Sequence, residues 1–261
     1  MTENRAKNSD AAVIALVGPE ATGKSTLANE IGAWLGELYS VRVIHAGKPP
    51  ATWSTWPIHA LLPLLRKKMP ALRTSRIEGH VMTQEEVGRH PAETVKPRKS
   101  TQKLGSLIYA IRAVCVAWER RQLLVRSRRA AGSKGFIICD RYPSNKPGGM
   151  DSARLVVDAD HKGVISALYN LLARLESKIY QQIPPPDIVL QLQVSLETAK
   201  RRNRSRVKAD KEGDGYIESR HQKVRDWHRI GTETVHYIDT EQPLTDTIQS
   251  VKKAIESTLN D

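Results

Sequence analysis

The 261-residue sequence predicts an α/β protein in which five parallel strands lie between two layers of helices. Three observations carry that expectation: five short β-branched runs, apolar positions at helical spacing between them, and a glycine-rich loop joining the first run to the first helix. A chain this long buries a full core without disulfide or metal staples, as one large α/β domain or two small ones. The reading adopted takes residues 1–10 as a flexible polar tail and 11–261 as one domain.

The expected strands are Ala11 to Val17, Val41 to Ala46, Gly135 to Asp140, Asp187 to Val194 and Thr234 to Thr240. After the first strand, Leu27, Ile31, Trp34, Leu35 and Leu38 repeat at helical spacing. Before the third, Leu104, Leu107, Ile108, Ile111, Val114, Cys115 and Trp118 do the same. Before the fourth, Ile165, Leu168, Leu171, Leu172, Leu175 and Ile179 form a further stripe, and core packing is the reading adopted for these apolar and aromatic positions. Pro184 to Pro186 stop that helix, and Pro243 marks the start of a C-terminal one through Leu244, Ile248, Val251 and Ile255. Residues 48–103 carry no clear strand and read as an insertion over one edge of the sheet. Within it, Trp53 and Trp56 near the basic residues Arg66 to Lys68 suggest packing of the insertion ahead of contact with a membrane surface.

Composition narrows the function classes. Cys115 and Cys139 are the only cysteines and lack metal-site spacing, so a reducing cytoplasm is the expected compartment. The first apolar run leads into a glycine loop instead of a cleavage site, so a signal peptide is not expected. The most apolar helical stretch, Leu104 to Trp118, is interrupted by Gly105, Ser106 and Arg112, so no transmembrane segment is expected. The eight histidines lack ligand spacing. The net charge of +13 is the balance of three segments of +6 each, Arg66 to Lys103, Arg120 to Lys134 and Lys200 to Lys211, against −5 over the rest of the chain, which implies anionic ligands met at particular places.

Gly18 to Ser25 reads GPEATGKS, a full GxxxxGK[ST] phosphate loop between a strand and an amphipathic helix. Glycines let backbone N–H groups close around a β-phosphate, Lys24 bridges β- and γ-phosphates, Ser25 ligates Mg²⁺, and the helix beginning near Thr26 turns its positive end to the anion. ATP contacts are therefore expected from Gly18, Ala21, Thr22, Gly23, Lys24, Ser25 and Thr26. The strand GFIICD ends at Asp140, where a carboxylate beside the loop can hold Mg²⁺ or accept a proton.

Those two elements, followed by Arg141 and Tyr142 in a DRY triplet and by PDIVLQLQVSLETAKRRNRSR, resemble the thymidylate kinase-like branch of P-loop nucleoside and nucleotide kinases across nearly the whole chain. The resemblance implies the three-layer α/β/α P-loop NTPase fold with strand order 2-3-1-4-5, ATP and Mg²⁺ as cofactors, and an Arg-rich lid over 200–215. In that family lid arginines lie two apart, as Arg202, Arg204 and Arg206 do, with Arg202 also meeting ATP. Glu20, Arg141 and Arg120 would meet the acceptor, Arg121 and Arg112 being alternatives to Arg120, and His45 at the end of the second strand is a further acceptor candidate. Catalysis would rest on Lys24, Asp140, Arg141, Arg202 and Arg206, and the metal on Ser25 and Asp140.

The family's acceptor signatures are replaced by HAGKPPATW (His45 to Trp53) and PSNKPGGMDS (Pro143 to Ser152), which argues against thymidylate. The expected acceptor is a small molecule of the nucleoside monophosphate, sugar or phospho-sugar type. Two other readings stay open at this point. The charge suggests a nucleic-acid-binding ATPase, which the 5% aromatic content and the lack of a base-reading motif disfavour, and the loop would also serve a nucleotide-dependent switch. Oligomeric state, a homodimer included, is not fixed by these patterns.

Overall fold

A computed structural model describes residues 11–53, 55–58, 60–61, 99–132, 135–145, 151–157, 163–205, 213–225, 227–232 and 234–260. In chain order the elements are β1 (Ala12–Val17), α1 (Lys24–Gly36), β2 (Val41–His45), α2 (Lys99–Ala131), β3 (Phe136–Asp140), α3 (Val164–Gln181), β4 (Ile188–Gln193), α4 (Leu196–Ser205), α5 (Asp214–Arg225), β5 (Thr234–Asp239) and α6 (Leu244–Asn260). Every strand pair is parallel, in the order β2-β3-β1-β4-β5. This is the expected order, and each strand falls within one residue of its expected bounds. The tail 1–10, most of the insertion (62–98) and the lid tip 206–212 lie outside the described residues.

Period-2 alternation sorts the central strands into two cores. Val13, Ala15 and Val17 with Ile137, Cys139 and Val189 face Ala117 and Leu124 of α2 and Ile179 and Tyr180 of α3. Ile14, Leu16, Ile138, Ile188 and Leu190 face Leu27, Ile31 and Leu35 of α1 and Val251 and Ile255 of α6. Three layers follow, with β1 at the centre, so the loop leaving β1 is anchored by a strand buried on both faces. At the other end of β1, Asp187 Oδ2 accepts a 2.7 Å hydrogen bond from Val13 N, and Arg128 lies 3.3 Å from its Oδ1. The PD dipeptide thus ties β4 and α2 to the first strand.

Two helices differ from expectation. Helix α2 runs for 33 residues and begins at Lys99, within the C-terminal end of the presumed insertion. Its Trp118, expected in the core, is 38% exposed. In α3 the apolar stripe turns partly outward: Leu168, Leu171 and Leu175 are exposed among the described residues, while Ala173, Glu176, Ile179 and Tyr180 are buried. The inward face of α3 carries a carboxylate because Glu176 has backbone donors to meet, the N–H groups of Arg154 (3.0 Å) and Leu155 (2.8 Å). Burial pushes that carboxyl above its ordinary value.

Strand order 2-3-1-4-5 places the change of crossover direction between β1 and β3. The crevice outside their carboxyl ends is where ligands bind in open parallel sheets.

Candidate active site

The phosphate loop turns on residues that tolerate left-handed backbone. Gly23 at φ 84° caps α1, and a Cβ on Gly18 would meet the Leu192 carbonyl oxygen at 2.8 Å, so the loop presses against β4 at a point only glycine allows. Lys24 is buried and points back into the loop, donating to Gly18 O at 3.0 Å, to Pro19 O and to Thr22 Oγ1 at 3.2 Å. Thr22 Oγ1 in turn donates to Pro19 O at 3.0 Å. Burial lowers the Lys24 ammonium to about 8, although Glu20, Asp140 and Asp151 counteract it. Its present partners are neutral oxygens, which a phosphate replaces with full charge. Ser25 and Thr26 are exposed at the mouth of the loop.

Ser25 Oγ donates to Asp140 Oδ2 at 2.5 Å, joining loop to strand across 115 positions. The other carboxylate oxygen, Asp140 Oδ1, is buried without a hydrogen-bond partner among the described residues. A buried, unpartnered carboxylate oxygen beside a serine hydroxyl fits a hard cation with oxygen ligands, so the residues present suit Mg²⁺. His45 Nδ1 lies 3.0 Å from the Asp140 carbonyl oxygen and 3.9 Å from its Oδ2, at the edge of the same group.

At the loop's edge, three charged residues hold one another. Arg141 NH2 donates to both Glu20 oxygens, at 2.7 and 3.0 Å, while its NH1 lies 3.6 Å from Asp151 Oδ2. Gly47 makes room for this side chain, since a Cβ there would strike Arg141 Cδ. Burial alone would raise the Glu20 carboxyl, but Arg141, Lys24 and Arg220 together hold it at about 2. Among the described residues, the non-glycine positions with left-handed φ are Ala21 (64°), Arg141 (74°) and Asp151 (58°), and all three sit here. Such backbone costs on the order of 1–3 kcal/mol per residue and gathers at functional sites.

Arg120 behaves differently from the acceptor-gripping role expected of it. It is fully buried, with Nε on Ala46 O (2.7 Å), NH1 on Asp151 O (2.7 Å) and Tyr180 Oη, NH2 on Gly47 O (3.2 Å), and Asp151 Oδ1 3.6 Å away. Its guanidinium fastens the loop after β2 to the segment carrying Asp151, and so supports Arg141 from behind. The neighbouring Arg121 stacks over Trp118 at 5.7 Å.

The lid arginines are distributed. Arg202 NH2 donates to Thr240 O at 2.6 Å, beside the β5–α6 turn, and Arg204 pairs with Asp214 at the start of α5. Arg206 lies outside the described residues. Two functional candidates went unrecognised in the sequence. Arg220 of α5 lies 3.6 Å from Glu20 Oε1. Arg229 is buried and donates to the carbonyls of Pro143 (3.2 Å), Tyr180 (2.9 Å) and Ile183, bracing the chain that follows the DRY triplet. The alternation of Ala113, Ala117 and Leu124 with Arg120 along α2 was the available signal for an inward Arg120, whereas no local pattern marks Arg220.

A parallel sheet of this order, a strand–loop–helix phosphate cradle and a strand-end carboxylate bonded to the loop serine define a P-loop nucleotide-binding fold. No protein-family model matches the chain, and comparison with curated proteins returns no match. Three solved structures of deoxyadenosine kinase from M. mycoides resemble it, each over 94% of this chain and 99% of the other. With the products dCMP and a flexible dCDP, that enzyme shows 15% identity and a TM-score of 0.44. With dATP the values are 17% and 0.46, and with dCTP 19% and 0.45. No described helix is long and apolar enough to cross a membrane.

Proposed function

We propose that the chain is an ATP- and Mg²⁺-dependent phosphotransferase of the thymidylate kinase-like type that moves the γ-phosphoryl group to a small-molecule acceptor of the nucleoside monophosphate, sugar or phospho-sugar type. The observation that carries this reading is the juxtaposition, at one end of the sheet, of the phosphate-loop Lys24, the Ser25–Asp140 pair with its unpartnered Oδ1, and the Glu20–Arg141 pair.

Phosphoryl transfer asks the protein for positioning and cationic stabilisation more than for covalent chemistry. An acceptor oxygen forms a bond to the γ-phosphorus as the bond to the β,γ-bridging oxygen breaks, and the electron pair departs with ADP. Lys24 is placed to follow charge on the phosphate chain. Ser25 and Asp140 would hold Mg²⁺, which when bound neutralises phosphate charge. Glu20 is ionised far below neutral pH, so it is a poor proton acceptor and a good hydrogen-bond acceptor. Its task is to orient a donor group of the substrate, and the proton of a hydroxyl acceptor passes to a phosphoryl oxygen late in a loose transition state. Arg141, held by Glu20 and Asp151, supplies the matching cation on the acceptor side.

The basic segments support this reading over a polynucleotide partner because several of their cations already have intramolecular anions or carbonyls: Arg120, Arg128, Arg202 and Arg204. A screen with γ-labelled ATP across nucleoside monophosphates, sugars, sugar phosphates and a polynucleotide control tests it. Label on a small acceptor is the expected result. Hydrolysis that only polynucleotide stimulates, with binding that falls steeply with salt, would replace the kinase with a nucleic-acid-dependent ATPase.

A further inference from the structure

We propose that Arg220 is a catalytic residue of the transfer, a guanidinium that contacts the migrating phosphoryl group from the docked helix α5 rather than from the lid. This rests on the phosphotransferase reading above.

Helix α5 is fixed against the phosphate loop itself. Ile217 is fully buried and packs with Ala21 of the loop and with Val194 and Ala199. One residue beyond Arg220, His221 Nε2 sits 2.8 Å from Val194 O, fastening the helix to the end of β4. Position 220 lies three residues after Ile217, on the same helical face, and is therefore carried to the loop by packing that does not involve residues 206–212.

Arg220 is also the least committed cation of the group. Its NH2 is 3.6 Å from Glu20 Oε1, beyond hydrogen-bond range, whereas Arg141 NH2 already holds both oxygens of that carboxylate. Its Nε is buried with no hydrogen-bond partner among the described residues. The guanidinium carbon lies 5.5 Å from the centre of the Tyr216 ring, which steadies the plane without taking any of its N–H donors. By contrast, Arg202 and Arg204 already donate to Thr240 O and to Asp214. A planar fork with an unpartnered buried N–H, next to a phosphate loop, matches the geometry of phosphoryl oxygens better than a lysine would.

In the transfer, the acceptor oxygen-to-phosphorus bond forms while the phosphorus to bridging-oxygen bond breaks and its electron pair leaves on ADP. Arg220 takes no proton and donates hydrogen bonds to the equatorial oxygens of the phosphoryl group in flight. Its pairing with Glu20 would loosen as that carboxylate turns to the acceptor.

The test compares wild type, Arg220→Gln and Arg220→Lys by calorimetric binding of MgADP alone and of MgADP with aluminium fluoride, which mimics the planar phosphoryl group. Arg220→Gln should bind MgADP within about twofold of wild type yet lose roughly 100-fold of the fluoride-dependent tightening, the scale of one lost transition-state donor. Arg220→Lys should recover part of it. Wild-type tightening in Arg220→Gln, or an equal loss of MgADP alone, would overturn the proposal. A wild-type protein that binds no MgADP would instead overturn the phosphotransferase reading.

Discussion

On the phosphate-loop side of the crevice Ser25 is exposed, Asp140 Oδ1 is buried without a hydrogen-bond partner among the described residues, and Lys24 rests on neutral oxygens. On the side proposed to meet the acceptor, Glu20, Arg141, Asp151 and Arg120 satisfy one another. Under the proposed phosphotransferase function the two sides face different constraints. Every triphosphate presents the same charges and bonds, so the donor side can leave groups waiting for them. An acceptor must be distinguished from its relatives, and a pre-paired network makes each new contact compete with an existing one.

If the acceptor side is held by its own charges, breaking it should cost stability as well as turnover. Arg120→Met removes the donors of four oxygens and leaves the buried Asp151 facing Arg141 alone where it had faced two guanidinium groups, so urea unfolding should show a loss of about 3–5 kcal/mol. A loss under 1 kcal/mol would mean the network is ornamental to the fold.

Glu20 allows a sharper cut by pH. Its carboxyl is held at about 2 against an ordinary 4.5, so the folded state favours the ionised form. The stabilisation, about 3 kcal/mol at this shift, is present above pH 4.5 and is lost as pH falls toward 2. Unfolding of Glu20→Gln should therefore trail wild type by that margin at pH 7, and the gap should shrink below pH 4.5. A gap that does not change with pH would assign the effect to packing.

The donor side predicts a smaller, purely ionic signal. With Lys24 near 8 in the free protein, a bound triphosphate should restore its ordinary basicity. Calorimetry in buffers of different ionisation enthalpy should then record uptake of about one proton per MgATP at pH 9 and little at pH 6.5. For the fold itself the sign is opposite to that of Glu20: the penalty on charged Lys24 is present below pH 8 and relieved as pH rises toward 10.5.

The contrast also explains what could be read from sequence. The strands were legible because burial on both faces demands β-branched runs, and the donor side because GPEATGKS and a strand-end Asp140 are local patterns. Arg120 was legible as an important arginine, but its burial depends on the phase of a 33-residue helix in which Arg121 is adjacent. Arg220 meets Glu20 across 200 positions, a contact made by the docking of Ile217 on Ala21 and signalled by no local spacing. The exposed leucines of α3 misled in the other direction, since helical periodicity identifies a stripe without saying what faces it.

Whether the loop lysine poises this site for phosphoryl transfer is decided by γ-labelled ATP with the acceptor panel, wild type beside Lys24→Ala. Wild type should place label on a small acceptor, and the variant should lose at least about 10²–10³-fold of that transfer at an unchanged circular dichroism spectrum. Transfer by Lys24→Ala at the wild-type rate would contradict it.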